Sequence, residues 1–460
     1  MFRLVTFLIA GVILTGSAFA QDQAQESNSV SLIPAAPSRP IFDNPDRINN
    51  HLYEALEVAY KNNPTLRAAR AELLAVKEQL PQAEAGFKPT ITADADVTFT
   101  NTDTKGTSFI TSDGDNTSKS GSLNLSQPIF RGGSTIANID QAKNIITAQN
   151  LALSATEQSL LYDVAAAYMN VLRDQAVLGL NENNRLLVSR ELEQARNRFT
   201  VGELTRTDVS QSEARLAKAE ADVINAHGAY KTAIATYRQL VGAPPAIDMG
   251  YPEKALSLPE TLDDALSIAQ TNNRMVLQAK FINAAAEAGV DSVFGELLPQ
   301  VKAIGRLDKT YDASDFIDEQ RQSSIGLSAS IPLYQAGSTR SRLREAKKRA
   351  NQRYIQILEA ENQAKQETIS NWEALKAAKA ETKARESQVQ AALIANEGVH
   401  YEEEYGERTT LDALDSNQEL LDAQVSLITA KRNEVVASFA LAKTLGLLVP
   451  QNLGFSTVNP

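Results

Sequence analysis

Hydrophobic positions along this chain follow two periods, and each period appears in both halves. Across Val209, Ser212, Leu216, Ala219, Val223, Ala226, Tyr230, Ala233, Tyr237 and Leu240, apolar or small residues step by three and four without a slip. That spacing predicts a helix with a heptad seam, and the small residues along it let a second helix approach closely. The run Ala413, Ser416, Leu420, Ala423, Leu427 and Ala430 keeps the step and loosens near Glu434. The other period is two. Ile91, Ala93, Ala95, Val97 and Phe99 alternate with Thr92, Asp94, Asp96, Thr98 and Thr100, and Leu123 and Leu125 sit between Ser122, Asn124 and Ser126. Val301, Ala303, Gly305 and Leu307, then Ile325, Leu327, Ala329, Ile331 and Leu333, repeat the alternation in the second half. One apolar face and one polar face predict strands, suited equally to a half-buried soluble sheet and to a membrane barrel wall. Polar connections at residues 101–119 and 309–322, with an export leader, favour the barrel.

The motifs around these elements are doubled. Pro128-Ile129-Phe130-Arg131-Gly132-Gly133-Ser134-Thr135 returns as Pro332-Leu333-Tyr334-Gln335-Ala336-Gly337-Ser338-Thr339, and Gly202 to Asp208 returns as Gly406 to Asp412 (332 against 128, 406 against 202: an offset of 204). Ala55-Leu56 and Asn62-Asn63 recur as Ala265-Leu266 and Asn272-Asn273, at an offset of 210 (265 against 55). Two units of this length are too few for a solenoid and predict a pseudo-symmetric object. The units are residues 50–250 and 251–455, each with a helix, a strand pair (90–130 and 300–334) and a long helical hairpin with its tip near 202 or 406.

Length then constrains the architecture. Residues 134–199 contain no proline and span about 100 Å as a helix. The return path is expected to run through residues 207–242 and then stack residues 262–297 on top. The second half lacks such an upper piece unless residues 52–87 supply it. Four strands cannot close a membrane barrel, for which about eight is the lower limit, so the chain is expected to pool strands with sister copies.

Residues 1–20 read as a secretory signal peptide: Arg3, an apolar run from Leu4 to Leu14, and Ala18 and Ala20 before polar Gln21. The polar, proline-containing residues 21–49 are expected to be flexible. The chain has no cysteine, which removes disulfides, thiolate ligands and a lipoprotein anchor. A formal charge of −11 argues against nucleic acid as a partner. His51, His227 and His400 have no metal partner at helical spacing, and no phosphate-binding glycine loop or nucleophile elbow occurs. The chain does not read as an enzyme, and no cofactor is expected.

Taken together, these motifs resemble the TolC family of outer-membrane efflux proteins. The resemblance rests on Leu52-x-Glu54-Ala55-Leu56-x-x-Ala59-x-x-Asn62-Asn63-Pro64-x-Leu66, on the strand exits Gln127-Pro128-Ile129-Phe130-x-Gly132-Gly133 and Ile331-Pro332-Leu333-Tyr334-x-x-Gly337, and on the turns at Phe199-x-Val201-Gly202 and Tyr405-Gly406 with Asp208 and Asp412 following. It covers residues 50–455, and the tail from Leu445 to Gly454 further resembles the type I secretion subgroup. The resemblance implies a mainly α protein whose long helical hairpins form a periplasmic α-barrel. Four strands per protomer would contribute to a twelve-stranded barrel, as a homotrimer embedded in outer-membrane lipid. It implies a periplasmic adaptor and an inner-membrane transporter, ABC-type or proton-driven, as partners. By position, Asp412 and Asp415 match constriction-lining acidic residues; Arg408 matches a residue tying the second tip to the first, with Thr207 and Asp208 as its counterparts. Glu403 stands where a tyrosine would complete a second link, which leaves an acidic rim as its expected role. Gly202 and Gly406 are the turn glycines; Val201, Leu204 and Tyr405 lie beside them as candidate adaptor contacts. The alternative is a periplasmic coiled-coil adaptor or scaffold without a barrel, which would carry one hairpin rather than two.

Overall fold

The computed structural model describes residues 50–102, 114–252, 256–314 and 317–453. The expected signal peptide, the segment 21–49 and Gly454 lie outside the described residues. The elements are α1 (Asn50–Asn62), α2 (Pro64–Lys77), α3 (Gln79–Glu84), β1 (Thr90–Thr102), β2 (Gly114–Arg131), α4 (Ser134–Thr200), α5 (Arg206–Val241), α6 (Leu262–Asn272), α7 (Arg274–Gly295), β3 (Gln300–Ser314), β4 (Ile317–Ser330), α8 (Ser338–Glu404) and α9 (Thr410–Thr444). The chain is mainly α with one four-stranded sheet, as the sequence periods predict.

The sheet is antiparallel in the order β1-β2-β3-β4. Its register gathers the apolar positions on one face: Ile91 pairs with Leu125, Leu125 with Gly305 and Gly305 with Ile325. The opposite face carries Thr92, Asn124, Arg306 and Ser324 in one row. The polar stretches at 101–119 and 309–322 are shorter as connections than expected. Residues 101–102 and 114–119 belong to β1 and β2, and 309–314 and 317–322 to β3 and β4. A ladder is held by backbone hydrogen bonds, so it continues where both faces are polar and side-chain alternation fades. Among the described residues, no helix is long and apolar enough to cross a membrane.

Each strand pair hands over to a helix of 67 residues, α4 or α8, about 100 Å long. Gly133 and Gly337, both left-handed, cap those helices (φ 83° and 78°). α5 packs along α4 through the predicted heptad: Ser212, Ala219, Ala226 and Ala233 are buried, with Leu216, Val223 and Tyr230 half-buried between them. α9 packs on both α8 and α4. It therefore buries a second row, Leu414, Asn417 and Leu421, beside the seam of Ala413, Ala423 and Ala430.

The expected return path is corrected. α5 does not continue into α6 and α7. Its end meets the α1–α2 junction, where Asn63 Nδ2 donates to Leu240 O at 2.9 Å while Asn63 Oδ1 accepts from Thr65 N and Leu66 N. α9 meets the α6–α7 junction in the same way, Asn273 Nδ2 donating to Thr444 O at 2.9 Å. So residues 52–87 complete the first half, and α7 completes the second. α7 packs between α4 and α8. The linker after Gly242 makes this possible, because it is long enough to cross α4: Tyr168 OH on α4 donates to Gly250 O at 2.9 Å. That crossing is the middle of the core, where Leu161, Val164, Tyr168 and Met169 are wholly buried against residues from α1, α2, α5 and α9. The result is a layer of four helical columns (α2 over α5, α4, α7 over α9, α8) joined to four strands.

Candidate functional site

The two hairpin tips follow the 67-residue helices that leave the sheet, and they have one design. At the first, Gly202 N donates to Phe199 O at 3.0 Å and Glu203 N to Arg198 O at 2.9 Å, closing α4. Gly202 has φ 85°, a conformation that glycine adopts without Cβ strain. α5 then starts on a capping box: Thr205 Oγ1 accepts from Asp208 N at 3.3 Å, and Asp208 Oδ2 accepts from Thr205 N at 2.9 Å. At the second tip Gly406 (φ 78°) N donates to Glu403 O at 2.9 Å and Glu407 N to Glu402 O at 2.8 Å. There Thr409 and Asp412 form the same box, at 3.0 and 3.2 Å. The boxes are legible in sequence as Thr205-Arg206-Thr207-Asp208 and Thr409-Thr410-Leu411-Asp412, a signature passed over in reading Asp208 for a link between tips and Asp412 for the pore.

The backbone bond from its threonine, then the hydroxyl bond, holds each aspartate below the usual carboxylate range. Asp208 and Asp412 are thus committed to their own helix starts within the protomer. Arg408 Nε donates to Glu402 Oε2 at 2.9 Å, so this guanidinium also stays within its own hairpin rather than reaching Thr207 or Asp208. Thr207 is exposed on the first turn of α5.

The tie between hairpins runs through other residues. Arg215 of α5 donates to Asp415 of α9, and Lys218 Nζ donates to Gln418 Oε1 at 3.4 Å. Of the two aspartates expected at the constriction, one therefore caps a helix and the other is paired with a cation. Arg215 was not singled out in the sequence, since nothing local links positions 200 residues apart.

Glu403 turns inward rather than joining an exposed rim. Its side chain is 16% exposed and 3.8 Å from His400 Nδ1. Facing it from α4 is Glu191, whose carboxyl burial raises, with the negative charge of Glu403 adding and His400 opposing. Beside them Asn417 Oδ1 accepts from Asn396 Nδ2 at 2.7 Å and lies 3.0 Å from His400 Nε2. Val201 and Tyr405 are exposed at the outermost turns, and Leu204 is half-buried. Among the described residues, no group of acidic, histidine or cysteine side chains is arranged to hold a metal ion.

The chain matches the family described as Outer membrane efflux protein over residues 55–243 and 265–447. The two matched stretches begin 210 apart and end 204 apart, the offsets of the internal repeat. It is 33% identical over 411 residues to the outer membrane efflux protein BepC of Brucella suis biovar 1 (strain 1330), covering 88% of each chain. To the outer membrane protein TolC of Escherichia coli (strain K12) it is 25% identical over 418 residues, covering 88% of this chain and 83% of that one. Its fold is similar to the crystal structure of the Campylobacter jejuni CmeC outer membrane channel, with a TM-score of 0.79 at 16% identity over 88% of this chain and 87% of that one. These matches, with the paired hairpins and the open four-stranded sheet, make this chain a member of the outer membrane efflux protein family, residing in the outer membrane.

Proposed function

We propose that three copies of this chain form one exit duct, a twelve-stranded barrel in the outer membrane continued by an α-barrel across the periplasm. The duct takes substrate from an inner-membrane transporter through a periplasmic adaptor, as in a tripartite efflux pump or a type I secretion system. The open sheet carries this reading. Its apolar face is exposed, both outer edges lack a ladder partner among the described residues, and four strands are about half of the smallest closed barrel. The chain acts as a passage and supplies no chemistry. Substrate choice lies with the transporter.

The tips form the periplasmic end. Glu402, Glu404, Glu407, Asp412 and Asp415 make it acidic, and three copies of Asp412 and Asp415 ring the narrowest point and favour cations. Val201, Gly202, Leu204, Tyr405 and Gly406 present the outermost turns to the adaptor, and Thr207, exposed on the first turn of α5, meets the tip of a neighbouring copy, while Asp208, Arg408 and Glu403 hold the shape of their own hairpins. Light scattering of the detergent-extracted protein, followed by planar-bilayer conductance, tests the duct. A monomer that never conducts overturns it. Asp412→Ala with Asp415→Ala tests the ring, which fails if block by multivalent cations is unchanged.

A further inference from the structure

The internal repeat is broken in charge where the long helices leave the sheet. Residues 338–353, the start of α8, hold seven basic residues against the single acid Glu345, a balance of +6. Their counterparts on α4, residues 134–149, hold Asp140 and Lys143, which cancel. The helix start does not require the cations, since Gly133 and Gly337 cap α4 and α8 in the same left-handed form. The cations destabilise it. Positive charge opposes the dipole at a helix N-terminus, and no acid stands in the first turn of α8. Like charges four apart, Arg340 with Arg344 and Arg344 with Lys348, also repel.

Three of the seven are engaged locally. Arg342 Nη1 donates to Glu296 Oε1 at 3.1 Å, Arg349 pairs with Glu345 at 2.6 Å, and Arg353 Nη1 donates to Gln356 Oε1 at 2.8 Å. Arg340, Arg344, Lys347 and Lys348 are exposed, and no carboxylate pairs with them among the described residues. Spaced i, i+4, i+7 and i+8, these four share one face of α8. The next positions on that face, Asn351, Ile355, Leu358 and Asn362, are uncharged. The charge is thus confined to about 12 Å of helix, at the end nearest the sheet.

The repeat also gives the direction of this face. The counterpart of Arg340 is Ile136, which is exposed and lines a small cleft with Phe87, Ile129 and Phe130. Phe130 pairs with Val301 in an apolar row of the sheet. This side of each long helix therefore continues the apolar face of the sheet, and α8 alone follows that face with cations. We propose that Arg340, Arg344, Lys347 and Lys348 of each copy bind the phosphate groups of anionic phospholipids in the leaflet facing the periplasm. The inference rests on the duct reading above, in which the apolar face meets lipid and α8 descends from the membrane. Arg340 and Lys348 then stand about 3 and about 15 Å along the helix from Ser338, in the headgroup layer or within one screening length of it. A polybasic stretch beside a membrane-spanning element is what anionic headgroups attract. An acidic polymer or protein deeper in the periplasm would meet the face lower down, where it carries no charge.

The test uses the full chain extracted in nonionic detergent and titrated with mixed micelles of phosphatidylglycerol or, separately, of phosphatidylethanolamine. Phosphatidylglycerol is expected to raise the melting temperature, with a midpoint at least tenfold lower in concentration, and about 1 M salt should erase most of that preference. Replacing all four cations (Arg340→Gln, Arg344→Gln, Lys347→Gln and Lys348→Gln) should abolish the preference. Removing four charges lower on α8 (Lys365→Gln, Lys376→Gln, Lys379→Gln and Lys383→Gln) should leave it intact. No preference in the unaltered protein, or an undiminished one in the first variant, overturns the proposal. Glycerol phosphate, a soluble source of the same chemistry, overturns it by giving the same shift without lipid. So does a first variant that is monomeric by light scattering before lipid is added, which would make the face a contact between copies. Unaltered protein that is monomeric and never conducts overturns the duct reading itself.

Discussion

On the three-copy reading, replacing Arg215 by alanine should loosen the tip end of the duct by a calculable amount. Arg215 and Asp415 are 33% and 57% exposed, so solvent screens the pair, and about 0.5 kcal/mol is the appropriate scale. Three copies acting together on one tip give about 1.5 kcal/mol, or roughly a tenfold shift toward the open state if opening separates α5 from α9. Open probability of single channels in planar bilayers at about 0.1 M salt measures this directly. Arg215→Ala and Asp415→Asn should each raise it roughly tenfold, and the double variant should rise no further than either single. Raising the salt to about 1 M should close most of the gap, because the screening length falls from about 10 to about 3 Å. The same pair separates two roles for Asp415. Removing Arg215 frees the carboxylate and should strengthen block by multivalent cations, whereas Asp415→Asn should weaken it. An unchanged open probability in Arg215→Ala, or strictly additive singles, would refute the latch.

Other expectations are local. Tyr168 is wholly buried, and burial pushes its hydroxyl up to about 12. A pKa raised in the folded state leaves stability intact below about pH 10 and removes about 2–3 kcal/mol as pH climbs through 12. Tyr168→Phe should cost about 1 kcal/mol at neutral pH through the lost bond to Gly250 and blunt that alkaline fall, both readable in denaturant melts. Asp208 and Asp412 are held low, so their capping is present above the ordinary aspartate value of about 3.9 and is lost as pH falls below it. Proteolysis at residues 198–206 and 402–410 should therefore accelerate in acid, and Thr205→Ala or Thr409→Ala should speed it roughly threefold to tenfold at neutral pH. Gly132→Ala should abolish ordinary assembly, since its Cβ would sit 2.1 Å from Gly295 O at φ 61°. Gly133→Ala, whose Cβ meets no atom, should cost only the left-handed strain of about 1–2 kcal/mol by thermal melt.

Periodicity made much of this molecule legible. The heptad at 212, 219, 226 and 233 named buried residues of α5, and alternation at 91–99 and 325–329 named the apolar face of the sheet, whereas Ile331 and Leu333, expected to continue it, lie past the end of β4 at Ser330. What periodicity could not supply was which helix continues which. The expectation that α6 and α7 stack on α5 followed chain order, while the tie from Asn63 to Leu240 is a contact between residues 177 apart. Strand ends beyond the apolar stretch were equally hidden, because backbone pairing leaves no side-chain signature. At the tips the motif located the turns. Its aspartates proved to be engaged by Thr205, Thr409 and Arg215, partners that a reading centred on the pore passes over.

The close approach of Gly132 and Gly295 has a consequence for how the object is built. Their backbones meet where no side chain fits, yet the corresponding positions at the edges of the protomer are Ala336 and Ala85. The joint made of glycines forms during folding of one polypeptide and never waits for a collision. On the three-copy reading, Ala336 of one copy meets Ala85 of the next, a joint that must be found by diffusion, at whatever concentration the membrane supplies. On that reading, doubling the unit in one gene makes half of the joints permanent, while the other half are left to encounter between separate molecules.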